Sequence, residues 1–169
     1  MSQIGIFYGS TTGTTEEVAR RIGDKLEVAA SDIHDASSLN AELVSRYEVL
    51  LLGSSTWGTG ELQDDWYDAL KILKAQDLGD KFVAIFGCGD SDSYADTFCD
   101  AIGIIYEELK ESGCKFCGMT DPSGYTFDES IAVVHGKFAG LPLDEDNESG
   151  QTEERIDRWV AQLKTECIH

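Results

Sequence analysis

Two stretches of the chain constrain its fold more than any others. YEVLLLGSS (47–55) and KFVAIFGCG (81–89) are almost unbroken apolar runs. A strand with one face in water alternates apolar and polar residues. A continuous run marks a strand buried on both faces, the kind found in parallel sheets covered by helices on each side. QIGIFY (3–8) is a shorter run of the same type, and VAASDIHD (28–35) and Cys114 to Gly118 are weaker ones. Between them the period lengthens. Val18, Ile22 and Leu26 share one helix face, and SLNAELVSR (38–46) reads as a short helix. Leu62, Trp66, Leu70 and Leu73 mark another face, as do Phe98, Ile102, Ile105 and Leu109, and Ile156, Val160, Leu163 and Cys167. Strands alternating with helices predict an α/β fold with right-handed crossovers and a five-stranded doubly wound parallel sheet. The rhythm breaks at 119–137, rich in Gly, Asp and Ser, and resumes with the strand-like FAGLPL (138–143). An insertion into or beside the last strand is expected, within a single domain spanning 1–169.

Composition excludes several classes. The chain has 32 acids against 13 bases, a formal charge of −19. That argues against nucleic acid and anionic membranes, and permits attraction to a basic protein partner. The opening MSQIGIFYGS has no basic segment before its apolar stretch, so no signal peptide and a cytoplasmic setting are expected. Cys88, Cys99, Cys114, Cys117 and Cys167 are scattered and odd in number, as for reduced thiols. Cys114 and Cys117 form a CxxC, but on a strand residues three apart face opposite ways, so that pair is expected neither to chelate nor to bridge. His34, His135 and His169 are read as surface or loop residues.

Ligands of open α/β sheets bind beyond the carboxyl ends of the strands. Three loops leave those ends: 9–15, 54–61 and 88–97. The first holds Ser10, Thr11, Thr12, Gly13, Thr14 and Thr15 before a helix, with no Lys or Arg. Unpaired N–H groups at a helix start favour an anion, hydroxyls add donors, and Gly13 lets the backbone approach closely. GxxxxGK[ST] and GxGxxG are both absent, so the loop suits one terminal phosphate rather than a nucleoside triphosphate or a dinucleotide. A capping box of Thr14 with Glu17 accounts for two of these residues but not the others. The second loop carries Trp57 between small residues, and the third carries Tyr94 and Asp90. Trp57 and Tyr94 could sandwich a flat ring, and Asp90 could accept from a ring N–H.

With those residues in view, the chain resembles the long-chain flavodoxins from end to end. Their phosphate loop, [ST]-x-T-G-x-T, is matched by Ser10-Thr11-Thr12-Gly13-Thr14-Thr15. Their Thr-Trp loop is matched by Thr56-Trp57, and their Gly-Asp loop with a stacking Tyr by Gly89-Asp90 and Tyr94. The segment 119–137 and LPLDEDNES (141–149) also resemble that group. The resemblance implies a flavodoxin-like sheet of order 2-1-3-4-5 with an insertion in the last strand. It implies a low-potential one-electron carrier with non-covalent FMN, cycling between semiquinone and hydroquinone, and not an enzyme. Ser10, Thr12 and Thr15 would hold the phosphate, with the amides of the loop. Thr56 and Asp146 would lie near the ribityl chain. Trp57 would cover the inner flavin face and Tyr94 the outer. Asp90 would take the N3 proton, and the backbone of Cys88 and Gly89 would line the pyrimidine edge. The Gly58-Thr59 peptide would turn toward N5. Ser55 and Gly60 complete the second loop's share of the cofactor site.

The missing cations then have a reason. Fully reduced flavin is an anion at neutral pH, and a strong reductant must disfavour it. Acids cluster at Glu61, Asp64, Asp65 and Asp68, at Asp90, Asp92, Asp96 and Asp100, and at Asp144, Glu145, Asp146 and Glu148. Repulsion of about 4 kcal/mol, as at 4 Å and an effective dielectric near 20, corresponds to roughly 170 mV for one electron. The same rim is expected to steer the basic surfaces of redox proteins to a monomeric carrier. Two alternatives on this fold are an FMN-dependent quinone or nitro-compound reductase and a phospho-receiver. The reductase needs a cavity where Tyr94 would lie, and the receiver needs an Asp where Ser54-Ser55 stand.

Overall fold

The computed structural model describes residues 3–10, 13–57 and 60–168, the Trp57 side chain excepted. In chain order its strands are β1 (Ile4–Gly9), β2 (Ile33–Asp35), β3 (Val49–Trp57), β4 (Glu61–Leu62), β5 (Phe82–Cys88), β6 (Lys115–Cys117), β7 (Val133–Val134), β8 (Lys137–Phe138) and β9 (Leu141–Leu143). The helices are α1 (Thr14–Lys25), α2 (Ala41–Ser45), α3 (Asp65–Lys74), α4 (Asp100–Leu109) and α5 (Ser149–Glu166).

The main sheet runs β2-β1-β3-β5-β6, all parallel. Its last position is shared. β6 pairs with Phe82–Ala84 of β5, and β9 pairs with Phe86–Cys88. The chain therefore leaves the sheet after Cys117 and returns to the same edge at Leu141, with 118–140 between. β7 and β8 form a small hairpin within that excursion.

The apolar runs are buried on both faces, as their continuity requires. Leu50 and Leu52 point into one core with Phe7, Trp66, Leu73 and Ile102, covered by α3 and α4. Val49 and Leu51 point into the other with Ile6, Ile22, Trp159 and Leu163, covered by α1 and α5. Ion pairs tie neighbouring helices on each side: Lys25 of α1 to Glu153 and Asp157 of α5, and Lys74 of α3 to Glu108 of α4.

Several elements differ from the sequence reading. Only Ile33–Asp35 of 28–35 is strand, because residues 30–32 form a 3-10 turn. Leu62 is not on a helix face. It pairs with Thr56 in an antiparallel hairpin, β3 to β4, which also makes Trp57 the end of a strand rather than a loop tip. Phe98 precedes α4 and Cys167 follows α5, although both are buried. His34 is not a surface residue. It is half-buried, stacks on Phe7 at 5.1 Å and contacts the Tyr47 hydroxyl at 2.8 Å, which itself donates to Asp32. Burial lowers the pKa of His34.

Candidate functional site

Strand register sets the site. Gly9 lies opposite Ser54, Ser54 opposite Gly87, Ser55 opposite Cys88, and Cys88 opposite Leu143. The carboxyl ends of β1, β3, β5 and β9 thus finish at one level, and the loops after them share one edge. That edge collects Ser10 and Gly13–Thr15, Ser55–Trp57 and Gly60, Cys88–Tyr94, and Asp144–Asn147. Thr11, Thr12, Gly58 and Thr59 lie outside the described residues.

At the first loop the helix cap is Gly13, not Thr14. Gly13 has φ 93°, and among the described residues no side-chain hydrogen bond caps the helix. The Thr14–Glu17 capping box does not form, because Thr14 is already the first helical residue. The Gly13 N–H donates to Ser10 Oγ at 3.0 Å, and among the described residues the Ser10 hydroxyl hydrogen is not engaged. Among the described residues a Cβ at Gly13 would meet nothing within 4 Å, so the positive φ calls for glycine. Thr15 is the second residue of the helix and only 1% exposed. Its Oγ1 has no hydrogen-bond partner among the described residues and stands beside the Cys88 thiol, a weak one. A buried hydroxyl without a partner costs about 1–3 kcal/mol, which a ligand acceptor at the helix start would remove. Burial pushes the Cys88 thiol up to about 12, so it is neutral and inert at neutral pH.

The third loop is organised from within. Asp90 Oδ1 accepts from the amides of Ser93 (2.9 Å) and Asp92 (3.1 Å) and from Asn147 Nδ2 (2.7 Å). These bonds, the Ser93 amide first, lower its pKa. That oxygen is committed to the loop, so only the other is positioned to accept from a ligand. The Asp90 carbonyl accepts from the Tyr94 N–H at 3.0 Å, fixing the backbone of Tyr94, whose side chain is half-exposed. Asp146 is exposed. Partial desolvation raises its pKa, and then the charges of Asp90, Asp144 and Glu145 do.

A residue that sequence reasoning placed on the rim turns out to be the hub. Asp144 is fully buried. Oδ2 accepts from the Ser91 amide (3.1 Å) and hydroxyl, and Oδ1 accepts from the Asn147 amide (3.0 Å). Asn147 Nδ2 then bridges Asp144 to Asp90. Asp100 is also buried and accepts from the Ile131 amide at 2.9 Å, with burial raising its pKa. Glu148 pairs with Arg155 and Glu145 bonds Thr152. These carboxylates are structural, which leaves Glu61, Asp64, Asp68, Asp92, Asp96 and Asp146 exposed. Asn147 and Ser91 were missed. The only sequence signal for Asn147 was its spacing of three from Asp144 before a helix, which is common in turns, and Ser91 had none.

The second loop is anchored by its neighbours. Thr56 Oγ1 accepts from the Ala101 N–H at the start of α4 (3.1 Å), so it serves the fold as well as any ligand. Gly60 has φ 107°, and a Cβ there would lie 2.6 Å from Asp100 Oδ2.

A family model described as Flavodoxin matches residues 6–159. The chain belongs to the flavodoxin family. It is 46% identical to a flavodoxin of a Nostoc species, over 97% of this chain and 96% of that one. It is 41% identical to flavodoxin 1 of Azotobacter vinelandii over 99% of each, and 40% identical to flavodoxin 1 of Escherichia coli over 98% and 95%. The crystal structure of Fusobacterium nucleatum flavodoxin bound to flavin mononucleotide superposes with a TM-score of 0.89 at 31% identity, covering 98% of this chain and 99% of that one. The flavodoxin sheet order expected from sequence is the order found.

Proposed function

We propose that this flavodoxin carries FMN between its sheet-edge loops and passes electrons one at a time to protein partners. The observation that carries the reading is the buried Thr15 hydroxyl at the cation-free start of α1, which among the described residues has no partner stronger than the Cys88 thiol. The residues present fit the group. Ser10, Thr15 and the first-turn amides would hold the phosphate, with Thr11, Thr12 and Thr14 completing the loop. Thr56 and Asp146 would face the ribityl chain, Ser55 and Gly60 would complete the second loop's share of the site, and the Gly58-Thr59 peptide would turn toward N5. Trp57 and Tyr94 would stack on the ring, and Asp90, Cys88 and Gly89 would meet its polar edge. Bound FMN supplies the electron-accepting chemistry.

The chain's own part is electrostatic. Loops 9–15, 54–61, 88–97 and 144–149 contain no Lys or Arg. Neutral donors hold an anionic phosphate without stabilising further negative charge on the ring, and exposed carboxylates oppose it. That favours a low potential for the second electron. The same carboxylates would guide basic partner surfaces, with association that weakens as salt rises. No described helix is long and apolar enough to cross a membrane. Operation as a cytoplasmic monomer is part of the proposal. The relatives' flavodoxin names favour a carrier over the quinone or nitro-compound reductase.

The test is titration of the FMN-free protein with FMN, followed by stepwise electrochemical reduction with absorption recorded. Tight binding and two well-separated one-electron steps are expected. A single two-electron step at moderate potential would return the reductase reading, and failure to bind FMN would remove the cofactor site.

A further inference from the structure

Cys117 closes β6 and Cys167 follows the last turn of α5, 50 residues later. Their sulfurs lie 2.8 Å apart. Both residues are buried, and both are free thiols. The CxxC partner of Cys117 is turned elsewhere: the Cys114 thiol reaches the Leu109 carbonyl at 3.7 Å. The sequence motif is therefore not the structural pair. We propose that Cys117 and Cys167 form a reversible dithiol–disulfide site that fastens the end of α5 to the sheet.

A disulfide bond is about 2.05 Å long, so the sulfurs need to close by less than roughly 1 Å. The two thiols face each other, and Cys167 is the one at the helix end, where local opening exposes it first. Cys167 is thus the attacking group. Access comes through the end of α5. There the Cys167 and Ile168 amides both bond the Leu163 carbonyl, and helix ends open locally at low cost. The oxidant is a small-molecule disulfide of the glutathione type. The Cys167 thiolate attacks one of its sulfurs, releasing one small thiol and leaving a mixed disulfide. Cys117 then gives up its proton and displaces the second small thiol. One protein S–S bond forms, the small disulfide is reduced to two thiols, and two electrons leave the protein.

The test is incubation of the full chain, with FMN added, in oxidised glutathione. Acid quenching, alkylation of remaining thiols and peptide mapping follow. A link between the Cys117 and Cys167 peptides is expected, reversed by dithiothreitol. Closing a loop of this size is expected to raise the unfolding midpoint by on the order of 10 °C. Cys114→Ser is expected to keep the link. Cys167→Ser is expected to lose it while still binding FMN. A link from Cys114 to either partner, or no Cys117–Cys167 link once Cys114 has fully reacted, overturns the assignment. A link that leaves the unfolding midpoint unchanged overturns the fastening role.

Discussion

Two corners of this molecule hold a buried charge, and they do so in opposite ways. Beneath the loops at the sheet edge, the Asp144 carboxylate is surrounded by neutral donors from Ser91 and Asn147. Among the described residues no ion pair reaches it. Beneath the excursion, the Arg155 guanidinium lies 3.9 Å from the centre of the Tyr125 ring, donates to the Gly124 carbonyl and pairs with Glu148 at 3.0 Å. The chain can build an arginine–carboxylate pair, and does so at Glu148, where the 144–149 loop runs into α5, rather than beneath the loops. Beneath them it solvates an anion with amides and hydroxyls instead. A salt bridge would be the simpler way to hold Asp144, but it would bring a cation to the edge where the proposed function needs negative charge to stay unfavourable.

The comparison can be broken hardest at Asp144. Asp144→Ala leaves the Ser91 and Asn147 amides without their acceptor, and each such group costs about 1–3 kcal/mol. A loss of about 3 kcal/mol in urea unfolding is expected, with weaker FMN binding as the 90–94 loop loosens. Asp144→Asn, which keeps an acceptor, should lose less. Equal losses would mean the charge itself matters.

Thr15→Val comes next. It removes the buried hydroxyl and keeps the shape. FMN affinity should fall about 10–100-fold, the equivalent of a hydrogen bond to a charged group, while the FMN-free protein is no less stable. A matching loss of stability would instead give Thr15 a partner inside the protein.

At the other corner, Arg155→Met should cost about 1–2 kcal/mol of stability and leave the reduction potentials alone. Asp146→Lys should do the reverse. At about 10 Å in water a unit charge is worth roughly 0.4 kcal/mol, so a change of two charges should raise the second potential by about 20–40 mV with little effect on folding. A potential shift from Arg155→Met larger than that from Asp146→Lys would dissolve the contrast between the corners.

The smallest effects concern acid. Hydrogen bonds depress the pKa of Asp90 in the folded state. Its contribution to stability is present above the unfolded carboxylate pKa and lost as pH falls through the folded value. Burial raises the pKa of Asp100. Its ionisation opposes folding above the folded value, and that penalty disappears on acidification. In pH-dependent urea unfolding, Asp90→Asn should flatten the acid loss of stability. Asp100→Asn should raise stability near neutrality and match the parent in acid.

Much of this was readable in advance where the signal is local. Val49 to Leu52 have to be buried on both faces, and that alone implies a parallel sheet with helices on either side. The carboxyl-end rule then puts Ser10, Ser55 and Cys88 at one edge. What escaped depends on partners far away in sequence. Ser91 meets Asp144 across 53 residues, and Cys117 meets Cys167 across 50, with nothing in either neighbourhood to announce it. Leu62 has an apolar side chain at helical spacing from Trp66, yet its backbone completes a hairpin with Thr56. Acid-rich segments reveal their charge but not which carboxylates turn inward, so Asp100 and Asp144 looked like Asp92 and Asp96.

The divided last strand also bears on how the protein behaves when concentrated. An open sheet ends in exposed backbone groups that invite another chain to add a strand. Here one border is the three-residue β2, and the other is two pieces of three residues, β6 and β9. The middle of β9 is Pro142, which has no amide hydrogen to offer. Neither border presents a template long enough to seed edge-to-edge aggregation.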